Sequence, residues 1–81
     1  MDLEEISEGV LAILQELHED IRFEAEEKMV DDKILDSFDL VTLVTELGEE
    51  FDVDITAKDF VPENFNSVES ISQMIARLME M

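Results

Sequence analysis

The sequence predicts an all-α fold: a bundle of three main helices and one short one, with a long connection between the first two. Three observations predict it. Apolar residues recur at three- and four-residue steps in separate stretches, helix-capping residues stand just ahead of the later stretches, and 81 residues suffice for one domain over 1–81 with one small core.

The first helix is expected over about 3–18, where Leu3, Ile6, Val10, Ile13, Leu14 and Leu17 make one apolar stripe. Glu4, Glu5, Glu8, Gln15 and Glu16 occupy its other faces. From Glu19 to Asp36 the periodicity fails and charge dominates, with Ile21, Phe23, Met29, Val30, Ile34 and Leu35 as scattered apolar anchors. So long a connection in a small domain calls for a turn of helix within it or for a functional reason.

The second helix is expected from Ser37 to about Phe51. Asp36 suits its N-cap, and Asp39, three residues on, stands where a carboxylate reaches back in a capping box. Asp52-Val53-Asp54-Ile55 reads as an extended exit. Thr56, followed three residues later by Asp59, predicts a cap and a short third helix ending before Pro62. Ser67 caps a last helix whose stripe is Val68, Ile71, Ile75, Leu78 and Met79.

Composition narrows the function. With no cysteine, the chain has no disulfide, thiolate metal site or cysteine nucleophile, so any thiol chemistry must come from a cofactor. A net charge of −18 from 23 acids against 5 bases argues against nucleic acid and anionic lipid as partners. Met1-Asp2-Leu3-Glu4-Glu5 lacks the basic start of a secretory signal, and no stretch has the length of a membrane span, which together predict a cytoplasmic protein. His18 is the only histidine and reads as a solvated or dipole-stabilised residue at a helix end. No Gly-x-Ser-x-Gly elbow surrounds any serine, so catalysis by the chain itself is not expected and no catalytic residue is assigned.

The second helix has two apolar faces. Leu40, Leu43, Val44, Leu47 and Phe51 have the spacing of a core stripe, while Phe38, Val41 and Thr45 follow a separate series. The latter either completes the core or meets a partner, and the spacing fits both. Asp36, Asp39, Glu46, Glu49, Glu50, Asp52 and Asp54 lie around it without a single Lys or Arg. Apolar anchors ringed by acid suit brief docking on a basic surface. Gly48, inside this helix, costs about 1 kcal/mol relative to alanine and marks either a close approach by another backbone or a tolerated weakness.

The segment Asp31-Asp32-Lys33-Ile34-Leu35-Asp36-Ser37-Phe38-Asp39-Leu40 resembles the phosphopantetheine attachment motif of acyl carrier proteins, here centred on Asp36-Ser37-Phe38. The likeness continues through Val41 to Leu47, Glu49 to Ile55 and Pro62 to Ile71, and the helix order agrees with that family's four-helix bundle. The resemblance implies that a separate transferase uses coenzyme A to place 4′-phosphopantetheine on Ser37. It also implies that the arm's thiol then holds an acyl or aminoacyl group as a thioester. Independently of the likeness, a hydroxyl at a helix N-terminus lies near unpaired N–H groups and the positive end of the dipole, which favour an attached phosphate. Asp36 would serve the transferase's recognition and its metal, or act as a plain N-cap; Ser37 without the likeness would be a capping serine.

By the same resemblance Phe38, Asp39, Val41, Thr45 and Ile55, with Glu46, Glu49 and Glu50, form the surface for partner enzymes: the transferase, a loading ligase and acyl-transferring enzymes with basic patches. A monomer is expected. Thr45 departs from the methionine common in fatty-acid carriers, and Phe38 after the serine is closer to stand-alone D-alanyl carriers than to fatty-acid carriers, which have leucine. Fatty-acid, polyketide and peptide-synthetase carriers stay open. So do two other classes. One is an unmodified acidic adaptor. The other is a calcium module using Asp52, Asp54, Thr56 and Glu63, although Ala57 stands where such a loop needs glycine and Pro62 precedes the last ligand. Self-repulsion at a charge of −18 predicts that salt or divalent cations raise the Tm; equal melting at low and high salt would contradict it.

Overall fold

The computed structural model describes residues 2–19, 28 and 35–80. Four helices run along them: α1 (Leu3–Leu17), α2 (Ser37–Phe51), α3 (Pro62–Phe65) and α4 (Val68–Met79). The expected connection between α1 and α2 falls mostly outside the described residues, and with it the anchors Ile21, Phe23, Met29, Val30 and Ile34. Leu35, the last anchor, is buried and joins the core.

Each start has a local cause. Asp2 Oδ1 accepts from the Glu5 amide at 2.9 Å and caps α1, and Ser67 Oγ accepts from the Ser70 amide at 3.0 Å and caps α4. At α2 the cap is reciprocal. Asp36 Oδ1 accepts from the Asp39 amide at 2.8 Å while Asp39 Oδ2 accepts from the Asp36 amide at 3.4 Å.

The short third helix is the main correction to the sequence reading. It begins at Pro62 instead of ending before it. Thr56 and Asp59 do meet, with Thr56 Oγ1 donating to Asp59 Oδ2 at 3.2 Å, but they close a turn over 57–59 that goes no further. Proline lacks the N–H that a first helical residue does not need and its φ is already helical, so Pro62 opens the helix. Asn64 then ties α3 on both sides: its Nδ2 donates to the Asp59 carbonyl at 2.7 Å and its Oδ1 accepts from Arg77 Nη2 of α4 at 3.3 Å.

The core is one cluster fed by every helix: Ile6, Val10, Ile13 and Leu14 from α1, Leu43, Leu47 and Phe51 from α2, Phe65 from α3, and Ile71, Met74 and Ile75 from α4. Helix α1 packs chiefly on α4 and also on α2, and α3 rests on α4. Met74 and Ser72 are buried though neither belongs to the expected α4 stripe, while Met79, placed in that stripe, is exposed. Ser72 is tolerated because its hydroxyl donates to the Val68 carbonyl at 2.7 Å and accepts from Ser7 Oγ of α1 at 2.9 Å, so no polar atom is stranded. No described helix is long and apolar enough to cross a membrane.

Both glycines permit close approach. A side chain on Gly48 would put its Cβ 3.2 Å from the Val53 carbonyl oxygen, and the Gly48 carbonyl itself accepts from the Val53 amide at 3.2 Å, so another stretch of backbone does press there. At Gly9 a Cβ would lie 2.7 Å from Phe51 Cζ, so α1 leaves a notch for the ring at the end of α2. Gly9→Val should therefore destabilise the protein by about 1–3 kcal/mol despite improving helix propensity. Thermal denaturation reads this as a lowered Tm, and adding Phe51→Leu should recover part of the loss relative to the sum of the single changes.

Candidate functional site

The N-terminal turn of α2 is where the sequence placed the chemistry. Ser37 is its first residue and is exposed. The capping box uses the Asp39 amide, and the Leu40 amide closes the first helical bond on the Asp36 carbonyl at 3.0 Å. The amides of Ser37 and Phe38 are left without an intrahelical acceptor, as at any helix start. A phosphate carried on Ser37 Oγ thus meets spare donors and the positive end of the α2 dipole, and open solvent gives it room. The residues present fit a phosphodiester-linked arm at this position. Asp36 is exposed, with Oδ1 occupied by the cap, so its capping role is realised in the structure.

Phe38, Val41 and Thr45 face solvent. Phe38 is 79% and Val41 60% exposed, so this series does not complete the core. Thr45 Oγ1 donates to the Val41 carbonyl at 3.0 Å and Thr42 Oγ1 to the Phe38 carbonyl at 3.2 Å, so both hydroxyls are absorbed by the helix's own backbone. The polarity of Thr45 is thereby blunted on a face that is otherwise apolar. Ile55, half-buried on the way out of α2, reaches the same face. With Val41, Val44, Thr45, Thr56, Ala57 and Phe60 it lines a shallow depression of about 170 Å³. Glu46, Glu49 and Glu50 are exposed around it.

Asp39 stands apart from the other surface residues. Its side chain is only 18% exposed, and Oδ2 lies 2.8 Å from Nε2 of His18, which caps the C-terminus of α1. His18, read as a solvated or dipole-stabilised residue at a helix end, is thus half-buried and bonded to a carboxylate as well. Nothing local in the sequence signals this contact, since the two residues are 21 positions apart. Phe60 was also missed. It is 43% exposed, sits edge-on to Phe65 at 5.5 Å, and extends the apolar face beyond α2. A run of Phe60-Val61-Pro62 between polar residues was the available signal.

The residues of the calcium alternative do not gather. Asp52 caps the end of α2, Thr56 bonds Asp59 and Glu63 lies in α3. Among the described residues no group of three or more His, Asp or Glu side chains could hold a metal ion. A larger cavity of about 500 Å³ lies between the α2–α3 connection and α4, lined in part by Asp52, Asp54, Lys58, Met74 and Arg77. It involves no residue of the N-terminal turn of α2.

Comparison with known proteins places the chain as a whole. A family model described as the phosphopantetheine attachment site matches residues 8–75. The chain is also similar to the D-alanyl carrier proteins of two Streptococcus suis strains, each 30% identical over 76 residues, which cover 93% of this chain and 96% of the relative.

Removing the Asp36 carboxylate tests the cap by itself. Asp36→Ala should cost about 1 kcal/mol of stability and Asp36→Asn much less, because asparagine caps as well as aspartate. Thermal or urea denaturation of the two variants checks this, and equal losses would show that Asp36 acts through its charge.

Proposed function

Since the chain belongs to the phosphopantetheine attachment-site family, and so takes up 4′-phosphopantetheine and works as an acyl or aminoacyl carrier, we propose that Ser37 is the attached residue and D-alanine the cargo. The observation that carries the assignment of Ser37 is its position: an exposed hydroxyl on the first residue of α2, behind a complete capping box, with the amides of Ser37 and Phe38 unspent. The arm supplies the thiol, absent from this cysteine-free chain, on which an acyl or aminoacyl group is held as a thioester.

The chain's own residues hold and present. Asp36 fixes the start of α2 so that Ser37 Oγ projects into solvent where a transferase reaches it, and Oγ provides the oxygen of the new phosphodiester. Phe38, Val41, Thr45 and Ile55 give partner enzymes a small apolar foothold, and Glu46, Glu49 and Glu50 steer basic patches toward it. The chain is thus a substrate of other enzymes: the phosphopantetheinyl transferase, a loading ligase and an acyl-transferring enzyme. It works as a monomer in the cytoplasm, since one small face has to serve each partner in turn.

D-alanine is supported by the likeness to the two D-alanyl carrier proteins and by Phe38 directly after Ser37. Two measurements test the reading. Incubation with a broad phosphopantetheinyl transferase and coenzyme A should add the mass of the arm, and Ser37→Ala should abolish the addition; a wild-type chain that stays unmodified overturns it. The modified protein should then accept D-alanine from a D-alanine-activating ligase, and exclusive transfer of malonyl groups would replace this cargo with the fatty-acid type.

A further inference from the structure

We infer that His18 is a positioning residue for modification of Ser37: by donating to Asp39 it holds the capping turn of α2 in the form that a transferase selects. The inference rests on Ser37 as the attachment residue. Its physical basis is a shared oxygen. Asp39 Oδ2 closes the capping box on the Asp36 amide over 3.4 Å, a weak bond, and the same oxygen lies 2.8 Å from His18 Nε2, a short one. A carboxylate only accepts, so Nε2 carries the hydrogen and donates. The stronger of the two bonds comes from α1 and sets where the carboxylate stands; the weaker one benefits.

His18 is itself placed by backbone. It is the C-cap of α1, its amide bonded to the Leu14 carbonyl at 3.1 Å, and Leu14 is fully buried in the core. The imidazole thus transmits the position of a core-anchored helix end to the turn that bears Ser37. The partial burial of the pair, 34% exposed at His18 and 18% at Asp39, shields the bond from water more than a surface ion pair would be. Asp39 consequently acts within the chain and is not one of the acids offered to partners. A transferase that needs the capped turn sees a lower effective concentration of competent protein when the turn loosens, which raises KM and leaves kcat alone.

Two shape-crossed variants of the full chain test this. His18→Phe keeps a ring and removes the donor, while His18→Gln removes the ring and keeps an amide donor near the place of Nε2. With a broad phosphopantetheinyl transferase and coenzyme A, His18→Phe should raise KM for the carrier by about fivefold with kcat within about twofold, the scale of one hydrogen bond. His18→Gln should restore KM to within about twofold of the wild type. Hydrogen exchange of the unmodified protein gives a readout apart from the enzyme: the Asp36 and Asp39 amides should exchange faster in His18→Phe and at the wild-type rate in His18→Gln. An unchanged KM in His18→Phe overturns the inference, and so does a His18→Gln protein as impaired as His18→Phe. Ser37→Ala is run alongside; arm uptake by that variant strikes the attachment reading, whereas a wild-type KM in His18→Phe strikes only the role of His18.

Discussion

Burial of one face of α2 decides what the rest of the molecule can present. Leu43, Leu47 and Phe51 are pinned in the core, where α2 packs on α1, and this sets the rotation of the helix about its axis. At about 100° per residue, Phe38 then lies roughly half a turn from that stripe, with Thr45 and Val41 near it. They are exposed because the opposite face is buried. The usual remedy for such a face is charge, and the chain instead keeps it apolar with acids on the same helix, a pattern that suits the docking role proposed for it.

Phe51 makes that rotation specific. Its ring enters the notch left by Gly9, where any side chain would collide with it, so α1 and α2 have one close register at this end. At the other end of α2 packing holds Leu35, just ahead of the helix, but not the first turn itself. Ser37, Phe38 and Val41 are exposed, and the turn is held by polar contacts: the Asp36–Asp39 box and the reach of His18 across from α1. The division suits the attachment proposed at Ser37. A hydroxyl that an enzyme must reach cannot be steadied by burying it, and hydrogen bonds from flanking residues steady the backbone while leaving Oγ open.

The same economy governs the remaining contacts. A chain of 81 residues has little stability to spare, so a net charge of −18 is tolerable only with the core well filled and its polar atoms satisfied. Ser72 meets that requirement at the α1–α4 interface through Val68 and Ser7. Asn64 does so between the α2–α3 connection, α3 and α4.

What the sequence determined by itself is what short spacings encode. The bounds of α2, the caps at Asp36 and Ser67 and most of the core stripes depend on residues within four positions of each other, where periodicity and cap chemistry act directly. That Ser37 opens α2 followed from the same local grammar, whereas its reading as the attachment residue came from the resemblance of Asp36-Ser37-Phe38 to a carrier motif. Where two local signals compete, spacing alone misled: Thr56 with Asp59 promised a helix, but Pro62 can only begin one, and the helix went to the proline. Only the tertiary structure decided which of the two apolar faces of α2 is buried. It alone brought His18 to Asp39, set Gly9 against Phe51, and put Met74 and Ser72 inside. The reason is common to all of these. Each depends on how whole helices pack, and contacts made across distant stretches of chain leave no periodic trace in the residues that make them.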